Sequence, residues 1–229
     1  MRKPSQQEKE GGESTVEMQK ASLPAKGNGA AAQVRGSWLY LSVKRVFDLT
    51  ASAAALVVCS PLMLAIAALV KLESPGPAIF KQERVGMNGV PFTMYKFRSM
   101  RLDAEKDGPK WAEADDERCT KVGRVIRRFH MDELPQLWNI IRGEMSIVGP
   151  RPEREFFYQE IEETLPEYRC RLQVKPGLTG LSQVNGCYNQ TFAERLAYDV
   201  EYMQKRSIDM DLHCIFKTVW VVLNGDGAR

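Results

Sequence analysis

Between Leu49 and Val70 the chain runs for 22 residues, LTASAAALVVCSPLMLAIAALV, without a charged side chain. A helix of roughly 20 apolar residues is long enough to cross the hydrocarbon core of a bilayer. Ser60 and Pro61 stand at the middle of the run. An interior proline removes a helical hydrogen bond and crowds the preceding turn, so a kink or break is expected there. Basic residues flank both ends, Lys44 and Arg45 before and Lys71 after, so the positive-inside rule selects no direction. Together these features favour a helix that enters a membrane, turns at Ser60–Pro61 and leaves on the same face. A kinked spanning helix and a buried core helix are the other two readings. Just upstream, Trp38, Tyr40 and Phe47 surround the basic pair, as suits a membrane–water interface.

The run divides the chain. Residues 1–36 mix Lys, Glu, Gln, Ser, Gly and Ala without an aromatic residue, and the expectation is a disordered tail. Residues 37–72 form the interface and membrane segment, and residues 73–229 carry enough apolar sequence for one domain. Net charge is only +3, which excludes a bulk polyanion binder. Five scattered cysteines without a CxxC pair, and two histidines, suggest neither a disulfide framework nor a zinc site; they fit a reducing compartment.

After the Pro75–Gly76–Pro77 turn, strands are expected over 78–80 and 90–97 around an Asn88–Gly89 hairpin turn. The hairpin carries Lys81, Arg84, Lys96 and Arg98, a basic patch suited to anionic lipid, nucleic acid or a phosphorylated substrate. Residues 101–117 read as a helix fragment and loop. TKVGRVIRRF then places Lys121, Arg124 and Arg128 at helical spacing. No aromatic interleaving and no nucleic-acid module accompany these charges, which argues against nucleic acid.

The stretch HMDELPQLWNIIRGEMSIVGPRPE, residues 130–153, holds the candidate chemistry. Leu134, Leu137, Trp138 and Ile141 share one helical face, Pro135 suits a first turn and Gly143 a stop. The adjacent acids Asp132 and Glu133 therefore fall at a helix N-terminus, where negative charge is stabilised. MSIV reads as a short extended run, and GPRP as a stiff loop presenting Arg151. At this level Asp132 could equally be a helix cap and Arg151 a surface ion-pair partner. Further on, 154–172 reads as a helix broken at Pro166, and 174–186 as a turn-rich loop. Helices are expected over 193–202 and 208–223, the last one amphipathic with Trp220 on its apolar side.

Taken in order, the motifs resemble the bacterial sugar transferase family of monotopic phosphoglycosyl transferases. They are KR..D (Lys44, Arg45, Asp48), Ser60–Pro61, Gly76–Pro77, ERVGMNG, YKFRSM, D.R.T (Asp116, Arg118, Thr120) and GR..R (Gly123, Arg124, Arg127). DELPQLWN, GEMSIVGPRP, KPGLTGLSQVNG, D..Y (Asp199, Tyr202) and S...DL (Ser207, Asp211, Leu212) follow. Ser99 stands where threonine is commoner, and His130 where a small hydroxyl residue is usual. The resemblance starts near residue 38 and implies the small, catalytic-unit form of the family.

It also implies an α/β fold that is membrane-associated and monotopic: a re-entrant helix broken at Ser60–Pro61, a small strand-containing catalytic core, and amphipathic surface helices. The implied reaction moves sugar-1-phosphate from a UDP-sugar to polyprenyl phosphate, releasing UMP and starting glycan assembly. Asp132 would be the covalent nucleophile and Glu133 a catalytic carboxylate that binds Mg²⁺. Lys96, Arg98, Arg118, Arg124, Arg127, Arg151 and Gln136 would contact substrate. Two anions must meet in such a step, and a metal and several cations are what screen them. The implied location is the inner face of the bacterial cytoplasmic membrane, with homo-oligomers and downstream glycosyltransferases as candidate partners. An idle membrane scaffold that recruits those enzymes is the alternative, and the intact acid pair argues against it.

Overall fold

The computed structural model describes residues 34–106, 108–111, 116–186 and 190–224. The tail expected over 1–36 lies outside the described residues as far as residue 33, as do parts of the 101–117 segment.

The long apolar run sits within one α-helix, α1 (Trp38–Glu73), 36 residues long. Its N-terminus is capped by the Ser37 side chain, which accepts from the Tyr40 amide at 3.2 Å. The expected break at Ser60–Pro61 does not interrupt this helix. Proline 61 has no N–H to give the Val57 carbonyl, but the Ser60 hydroxyl donates to that same carbonyl at 2.8 Å. The serine thus satisfies the acceptor its neighbour leaves open, and the helix continues.

One side of α1 packs on the rest of the fold over most of its length. The row Tyr40, Asp48 and Ser52 is buried, with Lys44 between. Ala55 and Leu56 meet the cluster of Met94, Leu137, Ile140 and Met145. Met63, Ile66, Ala67 and Val70 join Phe97 and Ile126 in another. The opposite side leaves Leu39, Val46, Val57, Val58, Leu64 and Leu72 exposed.

Strands β1 (Ile79–Val85) and β2 (Pro91–Phe97) form the expected antiparallel hairpin, with Ile79 opposite Phe97 and Val85 opposite Pro91. Asn88, at φ 58°, occupies the left-handed region in the connecting turn, a conformation that asparagine tolerates. Helix α2 (Lys121–Arg128) follows, capped by the Thr120 side chain, which accepts from the Gly123 amide at 2.9 Å. Gly123 lies directly on the Ser99 carbonyl, and a Cβ there would overlap it. The GR..R glycine is therefore a packing requirement.

A 3-10 turn, Met131–Glu133, leads to α3 (Gln136–Arg142), which ends at Gly143 with φ 83°. Strand β3 (Ser146–Val148) then pairs in parallel with β4 (Gly177–Thr179). Between them run α4 (Glu155–Glu162) and a 3-10 segment, Pro166–Gln173. Helices α5 (Leu181–Asn185), α6 (Phe192–Lys205) and α7 (Ile208–Asn224) complete the described chain. The 174–186 segment, expected as a loop, thus contains both a strand and a short helix. Its glycines serve close backbone packing: a Cβ on Gly177 would overlap Gly149, whose amide donates to the Thr179 carbonyl at 2.8 Å.

A candidate active site around the adjacent acids

Asp132 and Glu133 sit in the 3-10 turn between α2 and α3, and both are buried. The turn is set by His130, whose φ of 54° reverses the chain after α2, and by the Glu133 amide, which donates to the His130 carbonyl at 3.1 Å. Glu133 is clamped. Its Oε1 accepts from Lys96 Nζ of β2 at 2.8 Å and from Arg151 Nη2 of the GPRP loop at 2.7 Å. The three elements that meet here are the hairpin, the 3-10 turn and the loop after β3.

These charges separate the two carboxyls. Burial pushes the Glu133 pKa up, but the guanidinium of Arg151 and the ammonium of Lys96 outweigh it and hold Glu133 well below the usual range. Burial raises Asp132, with Lys96 opposing and Glu133 adding to the rise. Burial also lowers the Lys96 pKa against the pull of Glu133. Glu133 is thus an anion locked by two cations, whereas Asp132 is a poorly solvated carboxyl facing Lys96, Arg127 and Arg151. Such a carboxylate is suited to attack phosphorus, and the surrounding cations are suited to a diphosphate.

The loop carrying Arg151 is held from behind. Arg84 of β1 donates to the Pro152 carbonyl and to Glu153, each at 3.1 Å, and Arg195 of α6 reaches the other Glu153 oxygen at 3.2 Å. Lys96 is placed by the hairpin, which α3 holds through Asn139. That amide accepts from the Tyr95 amide at 3.1 Å and donates to the Thr93 carbonyl at 2.7 Å. Asn139 closes the DELPQLWN motif, which by itself gives it no role, and Arg195 lies in no motif. A polar residue between Trp138 and Ile140, within an apolar helical face, was the available signal for Asn139.

Of the residues expected to contact substrate, Lys96 and Arg151 meet at Glu133, while Arg127 donates to Cys119 Sγ at 3.4 Å and acts on Asp132 through its charge. Gln136 opens α3 and is buried, with its Nε2 lacking a partner. Arg98 and Arg118 are engaged elsewhere. The Arg98 guanidinium donates to the carbonyls of Val70, Ser74 and Pro75, closing the C-terminus of α1. Arg118 is paired with Asp116 through Nε at 2.8 Å and Nη2 at 2.6 Å, and also binds the Trp111 carbonyl. Arg124 is exposed on α2.

Among the described residues no group of three or more His, Cys, Asp or Glu side chains forms a metal cage. A divalent cation of the Mg²⁺ type does not require one, since it is usually held by one or two carboxylates together with substrate phosphates. Glu133, the expected ligand, would provide such a carboxylate.

The model of the family described as bacterial sugar transferase matches residues 39–225. The chain belongs to the bacterial sugar transferase family. Among relatives, an Aeromonas hydrophila protein named UDP-N-acetylgalactosamine-undecaprenyl-phosphate N-acetylgalactosaminephosphotransferase is 42% identical over 194 residues, covering 83% of this chain and 46% of that protein. A Caulobacter vibrioides UDP-glucose:undecaprenyl-phosphate glucose-1-phosphate transferase is 44% identical over 192 residues, covering 81% and 71%. The Rhizobium leguminosarum exopolysaccharide production protein PSS is 42% identical over 191 residues, covering 78% and 94%. This chain thus spans about half the length of the first of these relatives and nearly all of the third.

Proposed function

We propose that this sugar transferase moves a sugar-1-phosphate from a UDP-sugar to polyprenyl phosphate in two steps. In the first, a carboxylate oxygen of Asp132 bonds to the sugar-bearing phosphorus, the pyrophosphate P–O bond breaks, and UMP leaves with the electron pair. In the second, a phosphate oxygen of the lipid attacks that phosphorus, freeing Asp132 and giving the polyprenyl diphosphate sugar. The carrying observation is the division of labour in the acid pair: Glu133 is held between Lys96 and Arg151, while Asp132 is buried beside them. Mg²⁺ on Glu133, when bound, would screen the diphosphate. Lys96 and Arg151 offset negative charge on the bridging and leaving oxygens, and Arg127 adds a third cation beside Asp132.

The same reading lays α1 at the inner face of a bacterial cytoplasmic membrane, with both of its ends on one side. Its support is that both ends of α1 are bonded to one globular body while the opposite side is apolar and exposed. UMP release answers the chemical question. Protein in membranes, given polyprenyl phosphate, Mg²⁺ and single UDP-sugars in turn, is expected to release UMP with one of them. The Asp132→Asn variant is expected to release none while remaining membrane-bound. Undiminished turnover by that variant would remove Asp132 as the nucleophile.

A further inference from the structure

Helix α2 has a face that the acid-pair chemistry does not use. Its inner side is taken by Ile126, buried against Ile66 and Val70 of α1, and by Gly123 on the Ser99 carbonyl. Arg127 donates to Cys119 Sγ at 3.4 Å, and its charge opposes the rise of the Asp132 pKa. Outward, α2 exposes Lys121, Arg124 and Arg128, with Val125 54% exposed and its cap residue Phe129 46% exposed. No acidic residue interrupts the helix. The result is an apolar stripe beside a cationic one, built on the last turns of α1, where Leu69 and Leu72 are also exposed.

The end of this face leads into the acids. Three residues separate Arg128 from Asp132, and between them His130 holds a left-handed backbone that is uncommon outside glycine, asparagine, aspartate and histidine. His130 Nδ1 is shielded from solvent and has no hydrogen-bond partner. An unpaired buried ring nitrogen is costly unless a ligand completes it.

We infer that the outer face of α2 with Phe129 binds the acceptor, polyprenyl phosphate. Isoprene units lie on Val125 and Phe129, and the phosphate passes between Arg124 and Arg128 to His130 and Asp132. This inference rests on the proposed transfer reaction for the identity of the lipid. Charge complementarity argues for an anionic head, the neighbouring apolar stripe for a hydrocarbon tail, and continuity with the α1 surface for a ligand arriving from the membrane. A general phospholipid seat would account for the charge, but gives no role to a face that runs into the acid pair.

The test is direct binding of a fluorescent polyprenyl monophosphate to the full chain in nanodiscs made only of phosphatidylcholine. The Arg124→Gln/Arg128→Gln double variant is expected to bind it about tenfold or more weakly, two exposed charge-assisted contacts being lost. Phe129→Ser should also weaken binding, and its KM for the lipid should rise while its KM for the UDP-sugar does not. Equal affinities of wild type and double variant would overturn the inference. So would an equal loss on Arg142→Gln, an exposed arginine on α3, which would mark a bulk charge effect. Reduced insertion into the nanodiscs that accounts for the whole change would overturn it in favour of a membrane seat. A wild-type protein that binds the probe through α2 but releases no UMP with any UDP-sugar would sink the transfer reading and leave the lipid site standing.

Discussion

Arg98 and Arg151 are the same side chain in two motifs of one family, and only their surroundings separate them. Arg98 is buried with its guanidinium on three carbonyls at the end of α1, whereas Arg151 reaches a buried carboxylate. The first is a structural cap. Replacing it by methionine leaves those carbonyls unpaired and is expected to lower stability by about 2–4 kcal/mol, read as a fall in Tm, without a selective rise in KM for the UDP-sugar. A raised KM at unchanged Tm would return Arg98 to the substrate. Arg151→Lys keeps the charge but loses the planar fork, and is expected to cut kcat roughly tenfold or more with little change in Tm. Wild-type kcat in that variant would mean that charge alone suffices at this position. The acid pair and Arg151 could be picked out from residue type and spacing, whereas Lys96 stood out from the other hairpin cations only through the family resemblance. The employment of Arg98 could not be picked out, because the helix end it closes comes beside it only once the chain is folded; Asp116 stands two residues before Arg118 in the sequence, but their bidentate pairing shows only in the fold.

At the scale of elements, what holds α2 against α1 is small and specific. The Glu73 carboxylate, on the last residue of α1, accepts from the amides of Lys121 and Val122 at 2.6 and 3.0 Å. Burial is the largest single influence and acts against its ionisation, but the Thr120 hydroxyl and those two amides together outweigh it, and its pKa is lowered. The carboxylate therefore adds stability above the ordinary glutamate value of about 4.3, and this is lost as pH falls through the lower folded value. Glu73→Gln should accordingly melt below wild type at neutral pH, with the gap closing in acid; a gap independent of pH would exclude the charge as its source. Gly123→Ala forces α2 off the Ser99 carbonyl and is expected to cost about 3 kcal/mol or more, or to prevent folding. The periodic helices and the basic hairpin could be anticipated from pattern. The extended run that becomes β3 could be anticipated too; its partner β4 could not, since its glycine- and proline-rich surroundings resemble a loop and become ordered structure only by backbone contact with a distant segment.

For the whole molecule the decisive relation is between α1 and everything after it. Near its start, Tyr40 and Lys44 reach Asp211 of α7 at 2.9 and 3.0 Å, and Arg45 donates to the Ile140 and Ile141 carbonyls at the end of α3. Asp48 then accepts from the Ile147 amide at 3.1 Å. Near its finish, Val70 is buried beside Phe97, and Glu73 caps α2. Tyr40 and Val70 are separated by a rise of about 45 Å at 1.5 Å per residue, more than the ~30 Å of a hydrocarbon core. If α1 spanned the bilayer, the charged elements bonded to its two ends would stand on opposite sides, and those bonded between would lie in lipid. Desolvating the charges among them would cost several kcal/mol each. The alternative keeps both ends on one side and turns only the exposed apolar row to the lipid. Single cysteines at Ser37 and Lys71, in a background without the natural cysteines, should therefore both react with a membrane-impermeant maleimide in inside-out vesicles and both be protected in right-side-out cells. Brominated lipid should meanwhile quench a probe placed at Val57 or Val58. Reaction of the two cysteines from opposite sides would establish a spanning helix and require these bonds to break in the membrane.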